Sequence, residues 1–112
     1  MVKDFQIQSY LRDVPDFPKP GIIFKDITPL LANPEIRRQV VDEIAGHYRN
    51  QQLDAIAAIE ARGFIFGTLL ADALNVPFIP VRKSGKLPYH KIQEEYSLEY
   101  GTASIEMHID AV

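Results

Sequence analysis

Two short stretches of the chain combine basic residues with glycine, a pattern that suits the binding of an anion. The first stretch places Glu60, Arg62 and Gly63 inside an apolar run, AAIEARGFIFG (57–67). Gly63 permits close backbone approach, a helix after it would offer unpaired N–H groups, and Arg62 supplies a fork for phosphate oxygens. A structural ion pair between Glu60 and Arg62 beside a helix-starting glycine explains the same residues equally well.

The second stretch is RKSGKLP (82–88), which follows another apolar run and resembles a mobile cationic flap or an ordinary solvated turn. Residues 81–91 carry four Lys and Arg side chains with one histidine and no acid, whereas residues 94–112 carry acids and no Lys or Arg. The net charge of the whole chain is −3. A short basic segment in an acidic chain favours a local anion site over a general nucleic-acid surface.

Other chemistries find little support in the sequence. Neither GxGxxG nor GxxxxGK[ST] occurs, so dinucleotide-binding and Walker-type loops have no basis. The chain has no cysteine, which excludes disulfides and thiolate chemistry. His47, His90 and His108 fall in different predicted elements without ligand spacing, so we expect no protein-held metal.

The elements that must position the basic stretches follow from hydrophobic periodicity. Residues 53–59 predict a strand buried on both faces, 64–74 a helix and 76–81 a second strand, which together form a parallel βαβ unit. Parallel strands place their carboxyl ends at one edge of a sheet, where ligands bind. Both basic stretches would therefore converge there, and two converging anion-binding loops suggest a substrate with more than one phosphate.

The remaining elements are predicted from caps and turns. Residues 3–13 predict a short amphipathic helix, and the proline-rich residues 14–21 an extended loop. Asn33 as N-cap and Pro34 as first helical residue predict a helix over 34–49. The alternating residues 96–100 and 103–109 predict a β-hairpin around Gly101-Thr102.

Length and composition favour one α/β domain that is incomplete. The 112 residues are 46% hydrophobic, which is typical of a globular chain, and no apolar run approaches a membrane span. The amino terminus lacks a signal-peptide pattern, so we expect a cytoplasmic protein. Two parallel strands are few for an open sheet, which indicates the front part of a larger domain.

Taken together and in order, four motifs closely resemble the adenine phosphoribosyltransferase family. They are FPKPGIIFKDITPLL (17–31), EARGFIFG (60–67), VRKSGKLP (81–88) and YSLEYG (96–101). The resemblance implies a type I phosphoribosyltransferase fold with a parallel βαβ core, flanking helices, a β-hairpin and an amino-terminal hood. It assigns residues 1–33 to the hood and 34–112 to a truncated core within a single domain. The implied reaction is purine salvage, in which adenine and phosphoribosyl pyrophosphate give AMP and pyrophosphate with Mg²⁺ on the phosphates.

The resemblance also implies roles for individual residues. Ile23 would meet the adenine edge through its backbone, Phe24 would stack on the ring, and Lys25 stands where relatives often have arginine. Glu99 and Tyr100 would lie on the flexible catalytic loop, with Glu99, and with it Arg62, as the candidate catalytic residues. A cis peptide is implied between Glu60 and Ala61. The residues implied for pyrophosphate are Ala61, Arg62, Gly63, Arg82, Lys83 and Lys86, partly across the interface of a homodimer.

The sequence departs from the family in one respect. An apolar strand ending in two acids and a Thr-Gly-Gly-Thr loop, which cradles the ribose phosphate in the family, does not occur within the 112 residues. We therefore expect the 112-residue chain by itself to lack appreciable activity. Two alternatives remain open: a non-catalytic phosphoribosyltransferase-like binding or regulatory module, and an amino-terminal half that complements a separate partner. No DNA-binding segment or membrane partner is predicted.

Overall fold

The structure, a computed structural model, describes residues 7–98 and 101–111. These residues form two compact units, the first ending at His47 and the second beginning at Tyr48. The division into a hood over 1–33 and a core over 34–112 stays a prediction. None of the helices in the described part of the chain combines the length and apolar character that crossing a membrane requires.

The first unit begins with an antiparallel pair of strands, β1 (Arg12–Pro15) and β2 (Ile23–Asp26), in which Val14 lies opposite Phe24. The connection between them is a compact turn. Asp16, at a φ of 57°, accepts a hydrogen bond on Oδ1 from the Gly21 N–H at 3.0 Å. Gly21 itself has a φ of 87°, a conformation that favours glycine.

The predicted helix over residues 3–13 is therefore wrong in its second half. Of the described residues 7–13, only 7 and 8 are helical, and β1 begins at Arg12. Residues 12–15 pair with β2 in antiparallel register, so the tertiary partner outweighs the local periodicity on which the helix prediction rested. Residues 3–6 of that prediction lie outside the described part of the chain.

Two helices complete the first unit, α1 (Thr28–Leu31) and α2 (Pro34–Tyr48). Oδ1 of Asn33 accepts a hydrogen bond from the N–H of Ile36 at 3.1 Å, which confirms Asn33 as the N-cap of α2. Val41 and Ala45 are the buried residues of this helix. The predicted helix over 34–49 is confirmed to within one residue.

The second unit is built on a mixed four-stranded sheet in the order β3-β4-β6-β5. Its strands are β3 (Ile56–Ile59), β4 (Phe78–Lys83), β5 (Lys91–Leu98) and β6 (Gly101–His108), followed by a short 3-10 helix (Ile109–Ala111). β3 and β4 are parallel, as predicted. The predicted antiparallel hairpin β5–β6 is present, but the predicted turn at Gly101-Thr102 is wrong, because both residues lie in β6 and pair with Leu98 and Ser97. The hairpin is longer than predicted, and it joins the sheet where Arg82 lies opposite Glu106.

Helix α3 (Arg62–Leu74) connects the two parallel strands and packs closely on them. A Cβ added to Gly67 would lie 2.7 Å from Cβ of Ala58 and 2.8 Å from Cε1 of Phe78, so only glycine allows this approach. The ring of Phe64 meets that of Phe78 edge-on at 5.6 Å. The predicted βαβ unit is confirmed, and Asn75 ends α3 in the left-handed conformation.

The prediction that β3 is buried on both faces is wrong for the described structure. Half-buried and exposed residues alternate along this strand, and Ile59 is 47% exposed. The reason is that helix α3 covers the face that carries Ala58, and side chains of a strand alternate between faces.

Candidate functional site

The turn between β3 and α3 carries the first basic stretch. Ala61 caps α3 in a helical conformation, and the exposed Arg62 is the first residue of that helix. The peptide bond between Glu60 and Ala61 is cis, as the family resemblance implied. The backbone N–H groups of the first turn of α3 and the Arg62 side chain therefore belong to one short segment at the carboxyl end of β3, which is an arrangement suited to an anion.

Gly63 lies in the first turn of α3, beside strand β3. A Cβ at this position would lie 3.4 Å from Cβ of Ala58, which is an ordinary van der Waals contact with the strand beneath. Gly63 and Gly67 are four residues apart, so both lie on the face of α3 that contacts β3. Close packing of helix on strand therefore requires glycine at position 67, whereas at position 63 an added Cβ would meet only an ordinary contact.

Glu60 fastens the first turn to the end of the neighbouring strand. Its Oε1 accepts hydrogen bonds from Nε of Arg82 at 3.0 Å and from the backbone N–H of Lys83 at 2.8 Å. The hydrogen bond from the Lys83 N–H holds the pKa of Glu60 below its ordinary value, and the Arg82 guanidinium makes a smaller contribution in the same direction. The predicted convergence of the two basic stretches is thus present at one edge of the sheet, and Glu60 is the group that joins them.

The second basic stretch forms a closed turn, which we call the basic turn (residues 82–86). The N–H of Lys86 donates to the carbonyl of Lys83 at 3.2 Å, and Nη1 of Arg82 donates to the carbonyl of Lys86 at 3.3 Å. Gly85 sits at the apex with a φ of 83°. Lys83 and Lys86 are exposed, whereas Arg82 is half-buried and already engaged by Glu60. Of these three cations, the two lysines present their ammonium groups to solvent.

The candidate base-binding residues lie in the first unit on strand β2. A cavity of about 340 Å³ is lined by Val14, Phe17, Phe24 and Asp26, and the ring of Phe17 meets that of Phe24 edge-on at 5.3 Å. Hydrogen bonds from the hydroxyl and then the N–H of Thr28 hold the pKa of Asp26 below its ordinary value, with Arg12 adding to the effect.

Strand alternation separates the predicted base-binding side chains. Phe24 reaches the cavity, whereas Lys25 bonds to Oδ1 of Asp13 at 2.6 Å, opposite it in the register. Ile23 is 60% exposed. Its predicted contact runs through backbone atoms and does not depend on where its side chain lies. Phe17 and Asp26 line the same cavity and were not singled out from the sequence, although an aromatic in the same motif and a period of two along β2 would have indicated them.

Two of the predicted site residues cannot be placed in the structure, and one buried residue near the site was not predicted. Glu99 and Tyr100 lie outside the described residues, so their roles stay predictions. Glu106 was not singled out from the sequence, yet it is buried, with 2% of its surface exposed, and it contacts the basic turn. Among residues 7–98 and 101–111 there is no group of three or more His, Asp or Glu side chains that could hold a metal ion.

Comparison with known proteins finds relatives by sequence and by structure. No model of a known protein family matches the chain. It is 59% identical over 105 residues to the adenine phosphoribosyltransferase of Sulfurovum, covering 94% of this chain and 56% of that protein. The structure superposes with a TM-score of 0.91 on the crystal structure of adenine phosphoribosyltransferase from Thermoanaerobacter pseudethanolicus, at 50% identity over 96% of this chain and 62% of the other.

A third match carries ligands. The adenine phosphoribosyltransferase of Trypanosoma brucei, solved in complex with AMP, pyrophosphate and ribose-5-phosphate, has a TM-score of 0.83 and 27% identity, covering all of this chain and 52% of that one.

The fold is the α/β fold of the amino-terminal part of phosphoribosyltransferases, with a mixed sheet, a βαβ unit and a hairpin. Within that class, the chain is a homologue of adenine phosphoribosyltransferases. It spans between 56% and 62% of the length of three curated relatives that it matches.

Proposed function

We propose that the chain forms the amino-terminal part of an enzyme of purine salvage that transfers phosphoribosyl from phosphoribosyl pyrophosphate to adenine, giving AMP and pyrophosphate. The observation that carries the proposal is the joining of two cationic turns by Glu60 at the carboxyl edge of the sheet. The homology to adenine phosphoribosyltransferases supports the same reaction. Because the relatives are longer, the proposal concerns the whole protein, and the 112-residue chain tests its two binding sites.

The proposed chemistry follows from where charge develops. Breaking the bond between the anomeric carbon and the pyrophosphate oxygen leaves positive charge on the ribose and negative charge on the departing pyrophosphate. Preorganised donors and cations lower the barrier when they meet charge that grows in the transition state. In this proposal the N–H groups at the start of α3, the Arg62 guanidinium and the ammonium groups of Lys83 and Lys86 receive the pyrophosphate.

Arg82 takes a less direct part in the proposal than the resemblance suggested. Its Nε and Nη1 are held by Glu60 and by the carbonyl of Lys86, so we assign it chiefly to holding the basic turn. Any contact of Arg82 with pyrophosphate would have to coexist with those two bonds. Arg62, at the start of α3, is proposed to make a bidentate contact with phosphate oxygens.

The base would be bound in the first unit. The cavity beside Phe24 is lined by two aromatic rings and a carboxylate, which suits a flat, polar-edged ring such as adenine. Phe24 would stack on that ring, the Ile23 backbone would pair with its edge, and Lys25 would stand behind the strand. Glu99 is proposed to handle the proton of the purine, with the adjacent Tyr100 on the same loop.

Magnesium, dimerisation and location complete the proposal. The described residues offer no cluster that would hold a metal by protein ligands alone, so Mg²⁺ is proposed to arrive as part of the diphosphate substrate. A homodimer and a cytoplasmic location are proposed on the family resemblance.

Titration calorimetry of the 112-residue chain with magnesium pyrophosphate tests the proposal. We expect saturable binding that Arg62→Ala weakens by about 10-fold or more, the effect of removing one charge-assisted contact. The matched control is Arg38→Ala, an exposed arginine on α2 in the first unit, which should leave the affinity unchanged. Equal affinities in the wild-type chain, Arg62→Ala and Arg38→Ala would contradict the proposed site.

A second assay separates a catalytic protein from a binding module. The wild-type chain is incubated with adenine, phosphoribosyl pyrophosphate and Mg²⁺, alone and together with the carboxyl-terminal portion of a relative. AMP formed only in the mixture supports the enzyme and the expected inactivity of the chain by itself. Pyrophosphate binding without AMP in any mixture would favour the non-catalytic module.

A further inference from the structure

Glu106 is the one buried charged residue in the described part of the chain, with 2% of its surface exposed on strand β6. Burial of a carboxylate is unfavourable unless hydrogen bonds and an opposite charge compensate for lost hydration. Every contact that the structure gives this carboxylate leads to the basic turn or to the strand just after it. Glu106 therefore helps to fix the conformation of residues 82–86.

Glu106 contacts the apex of the basic turn. It also contacts Lys91, which bonds to the residue that directly follows the turn. Oε1 accepts a hydrogen bond from the backbone N–H of Gly85 at 3.1 Å and lies 3.6 Å from Nζ of Lys91. Nζ of Lys91 also donates to the carbonyl of Leu87 at 3.3 Å, and Leu87 is buried. One buried carboxylate thus fixes the turn both directly and through Lys91.

Glu60 acts in the same way on the beginning of the turn. Its carboxylate takes the N–H of Lys83, while Glu106 takes the N–H of Gly85, two residues further on. The other two N–H groups of residues 83–86 are taken by the backbone, because Ser84 donates to the carbonyl of Ser104 at 3.2 Å and Lys86 to the carbonyl of Lys83 at 3.2 Å. A concave backbone site for an anion needs N–H groups that are not already engaged. A bound anion therefore has to be met by side-chain cations.

We propose that Glu106, together with Glu60, is a positioning residue that takes up the N–H groups of Gly85 and Lys83 in the basic turn and holds Lys83 and Lys86 outward toward the phosphates of the ligand. This inference rests on the proposed function for the identity of the ligand. It deepens that proposal by assigning recognition at this turn to ammonium groups rather than to backbone N–H groups. It also gives a role to a residue outside the turn and the catalytic loop.

The experiment compares Glu106→Ala, Glu106→Gln and the control Glu94→Ala in the 112-residue chain. Glu94 is an exposed glutamate on the neighbouring strand β5. Amide hydrogen exchange is measured at Gly85, with the amide of the buried core residue Ile79 as a reference for global unfolding. Calorimetry with magnesium pyrophosphate gives the affinity of each variant.

For Glu106→Ala we expect exchange at Gly85 to become about 10-fold faster relative to Ile79, and pyrophosphate to bind about 10-fold more weakly. Glu106→Gln keeps an acceptor oxygen and nearly the same volume, so it should recover much of both quantities. If Glu106→Ala does not fold, Glu106→Gln gives the decision, because loss of the charge beside Lys91 should still weaken binding by a few-fold. Glu94→Ala should match the wild-type chain in both measurements.

The inference is overturned if Glu106 variants match Glu94→Ala, or if exchange at Gly85 only follows exchange at Ile79. A wild-type chain that does not bind pyrophosphate would instead overturn the proposed function. Exchange at Gly85 would still decide whether Glu106 holds the turn, so the two failures are distinguishable.

Discussion

The carboxylate of Glu60 accepts a hydrogen bond from Nε of Arg82 at 3.0 Å, joining two residues 22 positions apart at the ends of neighbouring parallel strands. The Glu60 side chain is only 9% exposed, so water screens the pair less than it screens a surface ion pair. The same Oε1 atom also takes the Lys83 N–H. The ends of β3 and β4 are therefore held together by one side chain as well as by the sheet.

The first prediction concerns pH. Because the folded chain holds the pKa of Glu60 below the ordinary value of 4.5, its carboxylate stabilises the fold fully at pH values above that number. That stabilisation is lost as the pH falls from there through the lowered pKa of the folded state. We expect Glu60→Gln to be less stable than the wild-type chain near neutral pH, and the difference to narrow on acidification.

Urea unfolding of both proteins across that range measures the difference directly. Subtraction of the two curves removes the contribution of Asp26, whose pKa is also lowered. A difference that stays constant down to strongly acidic pH would contradict the role assigned to the Glu60 charge.

The second prediction concerns the packing of α3 on the sheet. Gly67→Ala would place a methyl group within 2.7 Å of Ala58 and 2.8 Å of Phe78, so we expect a loss of stability of about 1–3 kcal/mol from overpacking. Gly46→Ala is the matched control. Gly46 lies inside helix α2 with no atom within 4 Å of an added Cβ, and there alanine should stabilise by roughly 0.5–1 kcal/mol. Chemical denaturation gives both values, and effects of the same sign would refute the close packing.

The third prediction concerns the start of α2. Asn33→Ala removes the acceptor that the N–H of Ile36 uses, and we expect a loss of about 1 kcal/mol. Asn33→Asp keeps an oxygen acceptor and adds a negative charge near the positive end of the helix dipole, so its stability should equal or exceed that of wild type. The midpoint of thermal unfolding is measured for wild type, Asn33→Ala and Asn33→Asp. Equal midpoints for Asn33→Ala and wild type would show that the cap contributes nothing to stability.

The fourth prediction concerns the base cavity. Phe24→Leu keeps the cavity apolar but removes the aromatic face, so adenine should bind about 10-fold more weakly, the effect expected from losing one stacking contact. The control is Tyr89→Leu, which removes a 70% exposed aromatic ring from the second unit. Adenine affinity is measured by NMR titration. A larger effect of Tyr89→Leu than of Phe24→Leu would place the base elsewhere.

The sequence by itself determined the elements whose signals are local. Asn33-Pro34 predicted the start of α2 because capping involves only the next three residues. The apolar runs around residues 53–59 and 76–81, with a helix between them, predicted the parallel pair because the βαβ connection has few alternatives. The charged residues of EARG (60–63) and RKSGK (82–86) indicated an anion site at one edge of the sheet, and the two turns are joined there by the Glu60–Arg82 hydrogen bond.

The tertiary structure decided what depends on partners distant in sequence. Residues 12–15 form a strand rather than a helix because residues 23–26 pair with them, a choice invisible to periodicity. The partner of Glu60 is Arg82 because the parallel register places the ends of β3 and β4 side by side. Glu106 gained its place beneath the basic turn because β6 pairs with the last two residues of β4. Each of these outcomes rests on a pairing between strands separated in sequence, and local composition carries no record of that pairing.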